Sequence, residues 1–412
     1  MARADPNLVA IDIGSSKVAV LIAKPQDNGE LEIVGKGRAV NRGTRKGNIV
    51  NIDATVDALR RATEEAEVMA GTEISRAYVG VAGTDVRSVN SRGMVSVTRK
   101  NREITRQDID RVLDAAQAAA LPSDREILHA IPQEFVVDEQ AGIAEPQGML
   151  GHRLEVAVHL VTANTTRRRT LLTCVNRAGV EVIEAVFEPL ATAEAVLTHD
   201  ERELGSLLLD VGGGTSEFAF YGEGGVMHSG VLPIGAGHFT SDVGMVLRTP
   251  FAEAERIKLR YGCCLAGMLG EDEGISVPTV AGGPARVIPK RQLCDILQPR
   301  ALELLELVRR ELEINGYEES LRGGVVLTGG GAQLDGLLEL TEQVFNTGVR
   351  YGLPQGLGGL VDVIRCPTWS AASGLLLYGQ AAHTERQKSN VRHGFSMRGM
   401  MGNLRERLSD LL

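Results

Sequence analysis

Val9-Ala10-Ile11-Asp12-Ile13-Gly14-Ser15-Ser16-Lys17 is an apolar strand run that ends in an acid and breaks at a glycine. A second run of the same kind, Leu207-Leu208-Leu209-Asp210-Val211-Gly212-Gly213-Gly214-Thr215, stands in the other half of the chain. A third, Val325-Val326-Leu327-Thr328-Gly329-Gly330-Gly331, ends in three glycines. Glycine has no Cβ, so backbone N–H groups can turn inward and a phosphate can sit against them. The aspartate supplies a carboxylate where a phosphate-bound Mg²⁺, or its water shell, would be. One such turn means little. Two of them followed by a triple glycine suggest duplicated halves closing on one nucleotide.

The bulk properties bound the rest. A chain of 412 residues is too long for one ordinary core, so two or more domains are expected. Its 43% hydrophobic and 24% charged residues are those of a globular protein. A net charge of −9 argues against broad nucleic-acid binding. No secretory apolar segment follows Met1, and no run is long and apolar enough to span a bilayer. Cys174, Cys263, Cys264, Cys294 and Cys366 show no C-x-x-C spacing; reduced thiols in a cytoplasm are expected, with neither a disulfide framework nor a zinc site.

Strands and helices interleave, so the class is α/β. Strand runs are expected over 8–22, 30–41, 76–98, 126–137 and 153–161. Helices are expected over 53–69, capped by Asp53, and over 105–120, 167–178 and 188–198. In the second half a hairpin spans 207–221. Helices follow at 249–260, 291–314, 335–345 and 368–378, with a Gly- and Pro-rich stretch over 262–289.

This set of turns resembles the superfamily of actin, the heat-shock chaperones and the sugar kinases, whose two related halves clamp ATP. Asp12–Lys17 resembles the first phosphate loop, Asp210–Thr215 the second, and Thr328–Gly331 the adenosine loop. Glu188–Val196 and Thr368–Tyr378 look like the two hinge helices. Further stretches narrow the resemblance to the FtsA family of actin-like bacterial cell-division proteins. They are Arg42-Gly43 with Lys46-Gly47, Ile131-Pro132-Gln133-Glu134-Phe135, Asp200-Glu201-Arg202-Glu203-Leu204-Gly205, Ala254-Glu255-Arg256-Ile257-Lys258 and the C-terminal tail. The resemblance implies an actin-like ATPase fold with subdomain 1A over 1–83 and 163–203. A mobile SHS2-like insert, 1C, would take 84–162. Subdomain 2A would take 204–243 and 321–380, and 2B would take 244–320. A flexible linker over 381–394 and a terminal amphipathic helix over 395–412 complete the expectation.

The expected site is assembled from these turns. Asp12 and Asp210 face one gap, where two carboxylates repel unless a cation such as Mg²⁺ sits between them; each can also merely cap its own turn. Gly14, Ser15, Ser16, Gly212, Gly213, Gly214 and Thr215 would donate to the phosphates of ATP. Lys17 adds a point charge there or points to solvent. Glu255 and Lys258 share a helix face; the resemblance assigns them to the ribose, while the residues alone read equally as a solvated ion pair. Gly329, Gly330 and Gly331 let an adenine approach, or form an ordinary strand–helix turn. Glu188 either orients a hydrolytic water or is a helix-start acid favoured by the macrodipole. ATP binding with weak or absent hydrolysis is expected.

The tail reads separately. On a helix, Met397, Met400, Met401, Leu404, Leu408, Leu411 and Leu412 fall within an arc of roughly 120°. Arg405 and Arg407 flank that arc, while Glu406 and Asp410 lie opposite. This is the pattern of a helix lying in the plane of an anionic membrane, although a helix docking on protein has the same face. The resemblance then implies a polymer at the cytoplasmic face of the inner membrane, at the division septum. It would anchor FtsZ through that protein's C-terminal peptide and recruit later divisome proteins. Arg300, on the long helix of 2B, is the basic candidate for that acidic peptide. A small-metabolite kinase, a chaperone and a pilus-assembly actin homologue are the rivals; the tail and the 1C stretch favour division.

Overall fold

The computed structural model describes residues 7–391 apart from 119–120, 271–273 and 281–283, with side chains described through residue 384. The first half opens with β1 (Leu8–Ile13), β2 (Lys17–Pro25) and β3 (Leu31–Val40). A two-residue turn joins the short strands β4 (Thr44–Arg45) and β5 (Asn48–Ile49). Helix α1 (Ile52–Ala70) then leads to β6 (Arg76–Val81). The chain leaves this half for an insert: β7 (Arg87–Ser96), α2 (Arg106–Gln117), β8 (Arg125–Val137), β9 (Gln140–Ile143) and β10 (Arg153–Asn164). It returns through α3 (Thr165–Arg177), β11 (Glu181–Phe187), α4 (Glu188–Val196) and α5 (His199–Leu204).

The second half repeats the plan with β12 (Ser206–Val211), β13 (Ser216–Gly222) and β14 (Gly225–Leu232). Its own insert holds α6 (Ala236–Leu247), α7 (Phe251–Tyr261), β15 (Gly274–Val277), β16 (Arg286–Pro289) and α8 (Lys290–Ile314). Then come β17 (Gly324–Thr328), α9 (Leu337–Phe345) and β18 (Val349–Tyr351). The chain crosses back through β19 (Leu357–Gly359), α10 (Val361–Ile364) and α11 (Ser370–Val391).

The duplication is visible in the strand order. One sheet runs β11-β6-β1-β2-β3-β19 and the other β14-β13-β12-β17-β18. Read from the outer parallel strand, β11-β6-β1-β2-β3 and β18-β17-β12-β13-β14 are one topology built twice. In each, an antiparallel hairpin lies beside a parallel strand. The central strands β1, β6, β12, β13 and β17 are buried almost throughout, as a sheet covered on both faces requires: Ala10, Ile11, Leu207, Leu208 and Leu209 have no exposed surface. Helices α4 and α11 connect the halves; Ala191, Ala193, Ala372 and Leu375 are buried there. The insert of the first half is a separate sheet, β7-β10-β8-β9, closed by α2.

That insert meets the second half through polar groups. Gln133 Nε2 donates to the Val226 carbonyl at 2.9 Å and Asn90 Nδ2 to the Met227 carbonyl at 3.0 Å. His159 is wholly buried between Asn90 Oδ1 (2.7 Å) and Ser229 Oγ (2.8 Å). Burial, then the nearby His228, pushes its pKa down to about 3, so the neutral ring accepts from one neighbour and donates to the other.

Several sequence expectations need correction. Helix α1 is capped by Asn51, whose side chain accepts from Ala54 N at 3.0 Å, and not by Asp53, which lies in the first turn. The segment expected as a linker is helical as far as Val391. Its Gln, Ala, Glu, Arg and Lys residues are good helix formers, and no Gly or Pro intervenes before Gly394. Helix α6 was not expected, because Gly237 and Gly244 weaken its local preference; burial of Phe239, Val243 and Leu247 secures it. The amphipathic segment 395–412 lies outside the described residues.

Candidate functional site

The two hairpin turns face each other across the cleft between the sheets. A Cβ built on Gly214 would stand 2.4 Å from Ser15 Oγ, and one on Gly213 would stand 2.9 Å from Ser16 Oγ. The turns are therefore in contact at their tips. Ala236 N and Gly237 N, at the start of α6, donate to the carbonyls of Gly212 and Gly213, both at 2.8 Å. Ser15 Oγ accepts from Gly47 N at 2.9 Å, which leaves its own O–H free to donate elsewhere. Thr215 Oγ1 reaches Glu217 Oε1 at 3.4 Å.

Beneath the turns lie four acids. Asp12 ends β1, and Asp210 ends β12 opposite Glu217 on β13. Glu188 opens α4. Asp12, Glu188 and Glu217 are each more than nine-tenths buried. Loss of hydration disfavours every one of these charges, and the acids repel one another. Burial and then Asp12 push Asp210 up to about 7. Burial and then Asp210 push Glu217 up to about 8. Glu188 is raised well above the carboxylate range by burial, then by Asp12, Glu217 and Asp210. Asp12 is raised by burial against the lowering pull of Lys17.

Glu188 carries a second mark. Its Oε1 is buried without a hydrogen-bond partner, and it approaches the backbone of β6 so closely that a Cβ on Gly80 would lie 2.5 Å away. Buried oxygens are usually satisfied. An orphaned carboxylate oxygen among three other acids fits a site completed by a cation or an ordered water. Among the described residues, no three His, Cys, Asp or Glu side chains are placed to hold a metal by themselves.

The remaining sequence-predicted residues are placed as follows. Lys17 Nζ stands 3.9 Å from Asp12 Oδ2, donates to the Thr368 carbonyl and lies 5.2 Å from the centre of the Trp369 ring. It is committed to the cleft and does not point to solvent. Burial lowers its pKa, opposed first by Asp12. Glu255 and Lys258 are paired at 2.8 Å. Lys258 is buried and donates to Thr240 Oγ1 at 2.9 Å and to the Ala236 carbonyl at 3.2 Å. The pair is thus anchored to α6. Gly329 and Gly331 are glycines because β12 passes beside them: added Cβ atoms would stand 2.2 Å from Asp210 Oδ1 and 2.5 Å from Val211 Cγ1 respectively. Gly330 meets nothing closer than Thr368 Cγ2 at 3.4 Å, so it alone of the three offers open backbone. Arg300 lies outside this cleft, held by Asp242 at 2.7 Å and paired with Glu303. It lines a groove between α6 and α8 with Met245, Val246, Ile296 and Pro299. The tail residues Met397, Met400, Met401, Leu404, Arg405, Arg407, Leu408, Leu411 and Leu412 lie outside the described residues.

Sequence reasoning missed Glu217 as a site residue. Its signal was available: in a tight hairpin with Asp210 and Val211 on one arm, the antiparallel partner of Asp210 is Glu217, and partners share a face. Glu217 accepts from Gly83 N at 3.1 Å, a contact between the halves that no local pattern encodes.

The raised acids make a pH prediction. A native pKa above the unfolded one means that the native state holds protons the unfolded chain has lost, so stability falls as pH rises toward the native pKa. For Asp210 the window runs from 3.8 to about 7 and for Glu217 from 4.5 to about 8. Histidines oppose this at lower pH, so the clean range is about pH 6.5 to about pH 8.5. With nucleotide absent and EDTA present, the melting temperature should fall across that range. Glu217→Gln, which keeps the acceptor for Gly83, should flatten the fall. An identical slope in the variant would show that Glu217 is already ionised.

The comparisons with known proteins agree with this geometry. A family model described as the SHS2 domain inserted in FtsA matches residues 83–162, and one described as cell division protein FtsA matches residues 207–374. The chain is 44% identical over 384 residues to the cell division protein FtsA of Pseudomonas aeruginosa, covering 93% of this chain and 92% of that one. It is 37% identical over 383 residues to the FtsA of Escherichia coli K12, covering 91% of each. Among solved structures, a chain of the PilM–PilN type IV pilus biogenesis complex aligns with a TM-score of 0.67 at 15% identity, over 90% of this chain and 98% of that one. The MreB 5 of Spiroplasma citri bound to AMPPNP aligns with a TM-score of 0.57 at 14% identity, over 94% of this chain and all of that one. These likenesses establish the actin-like fold, and the duplicated sheets, the insert and the FtsA relatives together place the chain in the FtsA family of cell division proteins.

Proposed function

We propose that the cleft binds Mg·ATP and that the protein uses it to assemble on the inner membrane, where it anchors FtsZ. The observation that carries this reading is the pair of acid-ended hairpins meeting tip to tip over three buried carboxylates, Asp12, Glu188 and Glu217, with the half-buried Asp210 beside them. Four acids held close together, three of them buried, cost stability unless a cation shares the site. Mg²⁺ supplies positive charge between carboxylates and phosphates. Asp12 and Asp210 would hold it, through water. The N–H groups of Gly14, Ser15, Ser16 and Gly212–Thr215 would receive the phosphates. Glu255 and Lys258 would meet the ribose, and Gly330 offers the open backbone for the base. Glu188 is the acid placed to orient a water; burial and then Asp12, Glu217 and Asp210 raise its pKa well above the carboxylate range, which favours the protonated form and fits slow or absent hydrolysis.

The same reading assigns the outer parts. Residues 395–412 would lie in the membrane plane, and no helix among the described residues is long and apolar enough to cross a bilayer. The FtsZ C-terminal peptide, other divisome proteins and further copies of the chain are the partners, with no role for nucleic acid. The groove beside Arg300 would take the FtsZ peptide; since Asp242 and Glu303 already bind Arg300, part of the cost of docking is breaking those pairs.

Pelleting with anionic vesicles tests the proposal, with and without Mg·ATP. The full chain should sediment with vesicles, and more so with nucleotide. Leu404→Glu combined with Leu408→Glu places two charges on the apolar face and should leave most of the protein in the supernatant. Undiminished pelleting of that variant would remove the tail from the membrane.

A further inference from the structure

Lys46-Gly47 is the turn between β4 and β5, and the cleft described so far leaves it without a role. Both residues have positive φ, +51° for Lys46 and +72° for Gly47, the conformation of a tight two-residue hairpin turn. Glycine adopts it freely, whereas lysine does so only when its surroundings impose it. Those surroundings are the cleft. Gly47 N donates to Ser15 Oγ at 2.9 Å. A Cβ on Gly214 would stand 3.1 Å from Lys46 N. On the other side, the Gly47 backbone packs on that of Gly83, where a Cβ on Gly47 would lie 2.2 Å from Gly83 Cα. Asn48 Nδ2 donates to Thr84 Oγ1 at 3.1 Å and Oδ1 accepts from Arg167 at 2.9 Å. The turn is therefore a fixed wall touching both hairpin tips.

Its side chain carries the consequence. Lys46 is exposed and makes no ion pair among the described residues. Burial and then the nearby charge of Lys46 lower the pKa of His238, in the first turn of α6. The first N–H groups of that helix bind the second hairpin turn. A lysine on a rigid backbone support and the tips of the two hairpin turns thus meet at one spot. Within the same cleft Glu188 Oε1, on a side chain nine-tenths buried, has no hydrogen-bond partner among the described residues, which fits a ligand or water bound there. On the Mg·ATP reading the ribose pair Glu255 and Lys258 is anchored to α6, whose first N–H groups hold the second turn, so phosphates would lead from the pair toward the tips beside Lys46.

Resting on the reading of the cleft as a Mg·ATP site, we propose that Lys46 is a specificity-determining residue that contacts the terminal phosphate and separates nucleoside triphosphate from diphosphate. A charged hydrogen bond made to one nucleotide and not the other changes only the first affinity.

Affinities of Mg·ATP and Mg·ADP for the full chain, by titration calorimetry, test this. Lys46→Ala should weaken Mg·ATP about tenfold or more while changing Mg·ADP less than about twofold. Lys46→Arg should keep most of the discrimination. Lys46→Gly removes the amine and suits the positive φ, so it gives the same answer if the alanine variant folds poorly. Equal loss for both nucleotides would make Lys46 a structural residue and overturn the proposal, as would no loss for either. If the unaltered chain bound neither nucleotide, the cleft reading itself would fail and take this inference with it. Binding of both by the unaltered chain, with Lys46→Ala indifferent, would overturn the inference alone.

Discussion

Asp210→Ala abolishes the proposed Mg·ATP binding, a loss of about a hundredfold or more, and leaves the chain folded. Asp210 ends β12 at the point where the second turn meets the first. Its pKa of about 7 means that the charged form is disfavoured until a cation arrives. Removing it deletes the carboxylate that would face Mg²⁺, while relieving the repulsion it exerts on Glu217 and Glu188. The melting temperature without nucleotide should therefore hold or rise. That combination, binding lost and stability kept, separates a site residue from a structural one. Titration of Mg·ATP beside a thermal melt reads both. Tight binding retained by the variant would remove Asp210 from the site, and collapse of the fold would make it a cap of its own turn.

Gly329→Ala has the larger effect on stability. Gly329 sits at φ 85° and ψ 167°, a region open essentially to glycine alone. An added Cβ would also lie 2.2 Å from Asp210 Oδ1 and 2.6 Å from the Val211 carbonyl oxygen. Backbone cannot yield as a flexible side chain does, so strain and overlap add to several kcal/mol, on the order of 4. The melting temperature should drop by about 5 °C, and the shift of Asp210 should remove nucleotide binding as well. Gly330→Ala is the control: its Cβ would touch only Thr368 Cγ2 at 3.4 Å, so the fold should persist. Equal melting temperatures for the two variants would mean that β17 can move away from β12, contrary to the close approach seen here.

Gly329 and Gly331 owe their role to a contact that no local pattern encodes. Three glycines in a row after a strand are legible as a place where backbone comes close to something. At Gly329 and Gly331 that something is β12, a neighbour more than a hundred residues away in sequence. Lys17 is a similar case: its direction is set by the Thr368 carbonyl and Trp369 at the far end of the chain. Glu217 stood beside the recognised turn, yet its burial and its bond to Gly83 depend on how the two halves close. Helix α6 has weak local preference and a buried apolar face, so packing rather than propensity decides it.

By itself, the sequence determined the two acid-ended hairpins, the alternation of strands and helices and the family, because hairpins and amphipathic periods are written in neighbouring residues. Only the tertiary structure decided that the halves share one sheet order, that the turns meet at their tips and that three acids are buried together beside a fourth, Asp210. It also decided that the backbone of the Lys46-Gly47 turn stands against both tips at that meeting point. These properties depend on solvent exclusion and on charges brought close from distant parts of the chain, and neither burial nor a long-range Coulomb interaction has a local signature.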